Sequence, residues 1–169
     1  MSFIRIGQSL VVALMVFYAH KSRAIDHGRG QSCDAPVILL FHGICSRPSV
    51  FNTMKGVLER HFQGATVIAL SSVRGYKSLW LPITVQSRLC FSEVKRKIVD
   101  LNKRPVILIG HSQGGLRAYD FLRRYRSLLP IKGLVTIAAP WEGVPGAKVD
   151  KYILNYSLSV DVLEDLNVF

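Results

Sequence analysis

The sequence predicts an α/β fold in which a parallel sheet is covered by helices. Short, continuously apolar segments alternate along the chain with longer segments whose apolar residues recur at helical spacing. Continuously apolar strands are typical of a parallel sheet that is buried on both faces. The chain has 169 residues, of which 49% are hydrophobic, and this composition suits one domain with its own core.

In the first half of the chain, the pattern predicts two strands around one helix. The strands are predicted at 36–41 and 65–70, and a loop is predicted at 71–82. Gly64 is expected to end the helix, because glycine readily adopts the left-handed conformation of a helix C-terminus. The helix is predicted at 49–62 from its regularly spaced apolar residues, which are Val50, Met54, Val57, Leu58 and Phe62.

The second half of the chain repeats the alternation. A helix is predicted at 85–102, and an apolar strand at 105–111 follows it. A second helix is predicted to begin near Gly115 and to continue to residue 128, before a strand at 132–138. Because parallel strands are joined by right-handed crossovers, the four predicted strands form one open sheet.

The segment 110–114 has the sequence G-H-S-Q-G and lies between a predicted strand and a predicted helix. In that position the pattern G-x-S-x-G places the serine on a sharp strand-to-helix turn. The flanking glycines lack a Cβ, so the strand and the helix can approach closely. Ser112 is therefore a candidate nucleophile.

A serine nucleophile needs a positioned base to accept its proton. In hydrolases with this turn, the acid and the histidine follow the serine in the chain. No histidine of this sequence follows Ser112, since the five are His20, His27, His42, His61 and His111. The sequence therefore looks like the first part of an enzyme.

Loops that leave the carboxyl ends of parallel strands lie on one edge of the sheet. His42 follows the first predicted strand, and the segment 140–146, P-W-E-G-V-P-G, follows the fourth. Both are expected on the same rim as Ser112. For Trp141 two roles stay open, a packing aromatic or a contact with the substrate.

The N-terminus has the pattern of a signal peptide. Arg5 precedes an apolar segment at 10–19, and a small-x-small sequence at 22–24 is suited to cleavage after Ala24. The protein is therefore predicted to be exported, either secreted or periplasmic. If the signal is not cleaved, it would instead anchor the protein in a membrane.

These signals divide the chain into a signal peptide at 1–24, a linker at 25–34 and a domain at 35–169. The formal net charge is +11, and it falls to +8 when the first 24 residues are removed, because Arg5, Lys21 and Arg23 are lost with them. A positive surface makes an anionic membrane surface a candidate partner. No nucleic-acid motif accompanies the basic clusters, so no nucleic acid is expected as a partner.

Three cysteines allow at most one intrachain disulfide, either Cys33–Cys90 or Cys45–Cys90. The sequence contains no C-x-x-C pair and no cluster of cysteine and histidine. It therefore predicts no metal site, and no cofactor is expected.

Three segments in this order resemble the α/β-hydrolase superfamily: F-H-G-I at 41–44, G-H-S-Q-G-G at 110–115 and A-P-W-E-G at 139–143. They look most like its secreted bacterial lipases and esterases. Palmitoyl-protein thioesterases are a close second, because they share the H-G turn and the S-Q-G-G segment. The resemblance covers about residues 35 to 146.

The resemblance implies that Ser112 is the nucleophile and that the backbone N–H groups of Ile44 and Gln113 form the oxyanion hole. It also implies an incomplete α/β-hydrolase fold, because the C-terminal strands, the acid and the histidine have no match. The expected activity is hydrolysis of carboxylic esters, with an acyl ester or lipid as substrate. The alternatives are a palmitoyl-protein-thioesterase-like enzyme, and a catalytically inactive remnant or basic module that binds a surface.

Overall fold

The computed structural model describes residues 35–142. These residues contain one parallel sheet of four strands in the spatial order β2-β1-β3-β4. The strands are β1 (Val37–Phe41), β2 (Thr66–Ala69), β3 (Val106–His111) and β4 (Ile131–Ile137). The predicted α/β fold class is confirmed, and β1 and β3 lie side by side at the centre of the sheet.

Helices cover both faces of this sheet. They are a 3-10 helix (Pro48–Phe51), α1 (Asn52–His61), α2 (Lys77–Trp80), α3 (Ile83–Lys97) and α4 (Gln113–Tyr125). On one face, Ile38 and Leu40 of β1 pack with Leu58 of α1. On the other face, Leu39 of β1 belongs to the same cluster as Phe121 of α4. Each residue of β1 is fully buried, which explains why its sequence is continuously apolar.

The predicted loop at 71–82 and the predicted helix at 85–102 are among the elements that differ from the structure. The predicted loop at 71–82 contains the short helix α2. Gln86 holds this helix in place, because its Nε2 donates to the carbonyl oxygens of Ser78 at 3.1 Å and Leu81 at 2.6 Å. The helix predicted at 85–102 ends at Lys97, and Ile98 is extended. This change of direction buries Ile98 in the core.

The predicted signal peptide at 1–24 and linker at 25–34 lie outside the described residues, as does Cys33. In the part of the chain that the structure describes, no helix has the length and apolarity needed to cross a membrane. Cys45 and Cys90 are free thiols. The Cys45–Cys90 disulfide, one of the two predicted pairings, is therefore not formed.

Candidate active site

The ends of β1 and β3 bring Ser112 next to the H-G turn. Phe41 and Gly110 are paired in the parallel register of the two strands, so the segments that follow them leave the sheet side by side. A Cβ atom placed on Gly43 would lie 3.1 Å from the Cβ and 3.5 Å from the Oγ of Ser112. The rim predicted from the sequence therefore contains both segments.

Ser112 has a backbone conformation that is unusual for a residue with a side chain. Its φ is 55° and its ψ is −132°, and such a conformation costs on the order of 1–3 kcal/mol. It is held by two hydrogen bonds. The N–H of Ser112 donates to the carbonyl of Ile137 at 2.8 Å, and the carbonyl of Ser112 accepts from the N–H of Gly115 at 2.8 Å. The sheet and the helix thus fix the hydroxyl on the turn between them.

Two backbone N–H groups beside Ser112 are available for a ligand. Gln113 is the first residue of α4, so its N–H has no acceptor within the helix. Ile44 follows Gly43 directly, and among the described residues its N–H donates to no protein atom. Two fixed N–H donors are what a developing oxyanion requires. The roles predicted for Ile44 and Gln113 remain predictions.

Arg117, which the sequence analysis missed, joins α4 to the H-G turn. Its side chain is fully buried, and its Nη2 donates a hydrogen bond of 2.7 Å to the carbonyl oxygen of His42. Burial lowers the pKa of Arg117, and the neighbouring Cys90 thiol acts in the opposite direction. The available signal was a charged residue between Leu116 and Ala118 on the apolar face of α4.

His42 belongs to the H-G turn, and its side chain is buried within the fold. The side chain is fully buried, with Nδ1 2.9 Å from the carbonyl oxygen of Gly43, to which it donates. Among the described residues, its Nε2 has no hydrogen-bond partner. Burial lowers the pKa of His42, so the imidazole is neutral at physiological pH. Its predicted contact with the substrate remains a prediction.

Trp141 is half-buried and packs against the fold. Its ring is edge-to-face with Tyr119, with the ring centroids 5.6 Å apart, and it also packs against Ile83 and Leu116. Of the two roles left open for Trp141, the structure shows the packing role. A contact with the substrate remains a prediction. No cluster of three potential metal ligands occurs within residues 35–142.

Glu93 of α3 fixes the loop that leaves β2. Its carboxylate accepts hydrogen bonds from the N–H of Ser71 at 2.9 Å, the N–H of Ser72 at 2.7 Å and the Nζ of Lys97 at 2.6 Å. Burial disfavours the charged form of Glu93, but the bonds from Lys97, Ser72 and Ser71 outweigh it and lower its pKa to about 2. The loop is therefore anchored by a carboxylate that remains ionised.

The Glu93→Gln variant is expected to be less stable, with a loss that depends on pH. A charged acceptor of several hydrogen bonds is removed, so the free energy of unfolding should fall by about 2 kcal/mol near neutral pH. Because the pKa of Glu93 is about 2 in the folded protein and 4.5 ordinarily, its stabilisation is present above pH 4.5 and is lost as the pH falls towards 2.

Urea unfolding of both proteins at about pH 7 and about pH 3 measures this dependence. The difference between them should be smaller at the lower pH. A difference that stays constant would show that the charge of Glu93 does not stabilise the loop.

Residues 36–165 match the family model described as palmitoyl protein thioesterase. This chain belongs to the palmitoyl protein thioesterase family. The α/β-hydrolase superfamily predicted from the three motifs is thereby confirmed, and the match is to the second of the two resemblances they left open. No curated protein sequence matches the chain.

Solved α/β-hydrolase structures share the fold. An extracellular α/β-hydrolase from a Paenibacillus species is 22% identical with a TM-score of 0.50, over 61% of this chain and 40% of its own. The lipase BlEst2 from Bacillus licheniformis is 19% identical with a TM-score of 0.52, over 82% of this chain and 54% of its own. The metagenomic carboxyl esterase MGS0156 is 16% identical with a TM-score of 0.52, over 73% of this chain and 37% of its own. The chain thus spans about half or less of the length of these structures.

Proposed function

We propose that this protein is a serine hydrolase that cleaves acyl thioester or ester bonds, with Ser112 as the nucleophile. The observation that carries the proposal is the position of Ser112. It lies on a strained strand-to-helix turn close to Gly43, which Ile44 follows, and directly before Gln113, the first residue of α4. Membership of the palmitoyl protein thioesterase family supports the same chemistry.

In the proposed reaction, the Oγ of Ser112 attacks the carbonyl carbon of the acyl group and loses its proton to a base. The carbonyl oxygen becomes an oxyanion, which accepts hydrogen bonds from the N–H groups of Ile44 and Gln113. The bond to the leaving group then breaks, and water hydrolyses the acyl-serine. Among the described residues, no histidine is bonded to the Ser112 hydroxyl.

Membership of the palmitoyl protein thioesterase family favours a thioester over an oxygen ester as the substrate. A thiol ionises with a pKa of about 8.5, so a thiolate leaves without a proton. An alkoxide is far more basic and needs a general acid.

The full protein should react with a fluorophosphonate probe at Ser112, because the probe phosphonylates activated serines. Peptide mass spectrometry should find the label on Ser112 in the unmodified sequence. The Ser112→Ala variant should lose the label, whereas a Ser92→Ala variant, which removes an exposed serine of α3, should keep it. An S-acyl pantetheine should be hydrolysed by the protein and not by Ser112→Ala.

A label on another serine, or no label on the folded protein, would overturn Ser112 as the nucleophile. The non-catalytic alternative, a basic protein that binds a surface, would then be the better account.

Export is part of this proposal. It is supported by the sequence of residues 1–24 and by the resemblance in fold to a hydrolase described as extracellular. Identification of the N-terminal residue of the mature protein tests export. Ile25 as the first residue would indicate a cleaved signal peptide, and an intact N-terminus on protein in the membrane fraction would indicate an anchor. An intact N-terminus on protein in the cytosol would overturn export.

A further inference from the structure

An open cleft of about 670 Å³ lies between the segments that follow β1 and β2. Its walls are residues 45–49, which follow β1, and residues 74–77, which follow β2. A volume of several hundred Å³ is typical of sites for small organic ligands. None of the residues that line this cleft takes part in the proposed reaction.

The cleft is strongly cationic. Arg47, Arg74 and Lys77 line it, and no acidic residue does. Within residues 35–142, none of these three side chains forms an ion pair. Three like charges around one cavity repel each other, and an anion in the cavity would offset that repulsion.

The two walls are tied together by a short network of hydrogen bonds. The N–H of Cys45 donates to the Oγ of Ser78 at 2.7 Å, and this Oγ donates to the carbonyl of Gly75 at 2.7 Å. The N–H of Gly75 donates to the carbonyl of Ser46 at 2.8 Å. The cleft is therefore held open by bonds between its own walls, and a ligand would not have to order them.

The cleft begins close to the candidate nucleophile. Cys45 is two residues after Gly43, and two residues span about 7 Å at most. Gly43 itself lies against Ser112. A substrate whose carbonyl is at Ser112 can therefore reach the cleft with an adjoining group. An apolar acyl chain gains nothing from three cations, so the adjoining group belongs to the leaving-group side.

We infer that this cleft binds a phosphate carried by the leaving group of the substrate. Arginine forms paired hydrogen bonds with phosphate, and the double negative charge of a phosphate monoester matches three cations better than one carboxylate does. The substrate class is then an acyl thioester or ester of a phosphorylated thiol or alcohol. This inference rests on the proposed function for the position of the acyl group.

Two ligands that differ by one phosphate test the inference. Calorimetric titration of the Ser112→Ala protein, which prevents turnover, compares S-octanoyl pantetheine with its phosphate monoester. The phosphate should raise the affinity by about tenfold or more. Arg74→Gln should remove most of this gain, while Arg60→Gln, a change of an exposed cation on α1, should preserve it.

Equal affinity for the two ligands would overturn the inference, and so would an equal loss in Arg74→Gln and Arg60→Gln. A third outcome would assign the cleft to a lipid headgroup and would also overturn it. In that case Arg74→Gln would weaken binding to phosphatidylglycerol vesicles but not to phosphatidylcholine vesicles, and the phosphate of the soluble ligand would add no affinity. Because binding needs no turnover, these results are independent of whether Ser112 is the nucleophile.

Discussion

The Gly114→Ala variant is expected to lose about 3 kcal/mol of unfolding free energy and to react with the fluorophosphonate probe at a greatly reduced rate. A Cβ atom at this position would overlap the carbonyl oxygen of Phe41 and would lie 2.6 Å from that of His42. Both atoms belong to the backbone at the end of the fully buried β1. The methyl group can be accommodated only if α4 and β1 separate, which would displace Ser112 from Gly43.

Gly133→Ala is the matched control. This glycine lies in β4, and a Cβ atom there would have no heavy atom within 4 Å. Urea unfolding and the rate of probe labelling should be unchanged in this variant. If Gly114→Ala unfolds at the same urea concentration as Gly133→Ala, the close approach of α4 and β1 does not limit the choice of residue at 114.

The position of Gly114 also explains why the start of α4 was predicted two residues too late. The helix was predicted to begin near Gly115, but it begins at Gln113, directly after Ser112. Glycine is a poor helix former, so the local pattern argues against a helix that contains Gly114. The close approach of the backbones overrides that propensity, because only glycine fits there.

The strands and the candidate nucleophile could be predicted because each is indicated by a pattern of consecutive residues. The continuous apolar run of β1 and the G-x-S-x-G pattern are examples. The cleft was not predicted, because it depends on bonds such as the one between Cys45 and Ser78, which are 33 positions apart. The early end of α3 was missed for a similar reason, since it is Ile98 packing in the core that turns the chain.

Arg117 was missed because its partner is a backbone atom. A hydrogen bond to the backbone carbonyl of His42 requires no particular residue type there, so no sequence pattern indicates it. A charged residue in a helix is also more often solvated. The structure shows the opposite case, a guanidinium that is fully buried and bonded to the segment that supplies the N–H of Ile44. We therefore treat Arg117 as a positioning residue for the proposed oxyanion hole.

The Arg117→Met variant is expected to slow probe labelling of Ser112 by about 100-fold, because small displacements of a catalytic group have effects of this size. Its unfolding free energy should change by no more than about 1 kcal/mol. The hydrogen bond to His42 is lost, but the cost of burying a cation is relieved, and the two effects oppose each other. Methionine has a long, flexible side chain that can fill the space.

A purely structural role predicts a different combination, a large loss of stability with an unchanged labelling rate per folded molecule. Asp120→Asn provides that comparison. Asp120 is buried on the same helix and accepts bonds from Ser87 and Arg124, but it does not contact the H-G turn in the described structure. This variant should be destabilised and should label at the normal rate. If Arg117→Met behaves like Asp120→Asn, Arg117 stabilises the fold without positioning the N–H of Ile44.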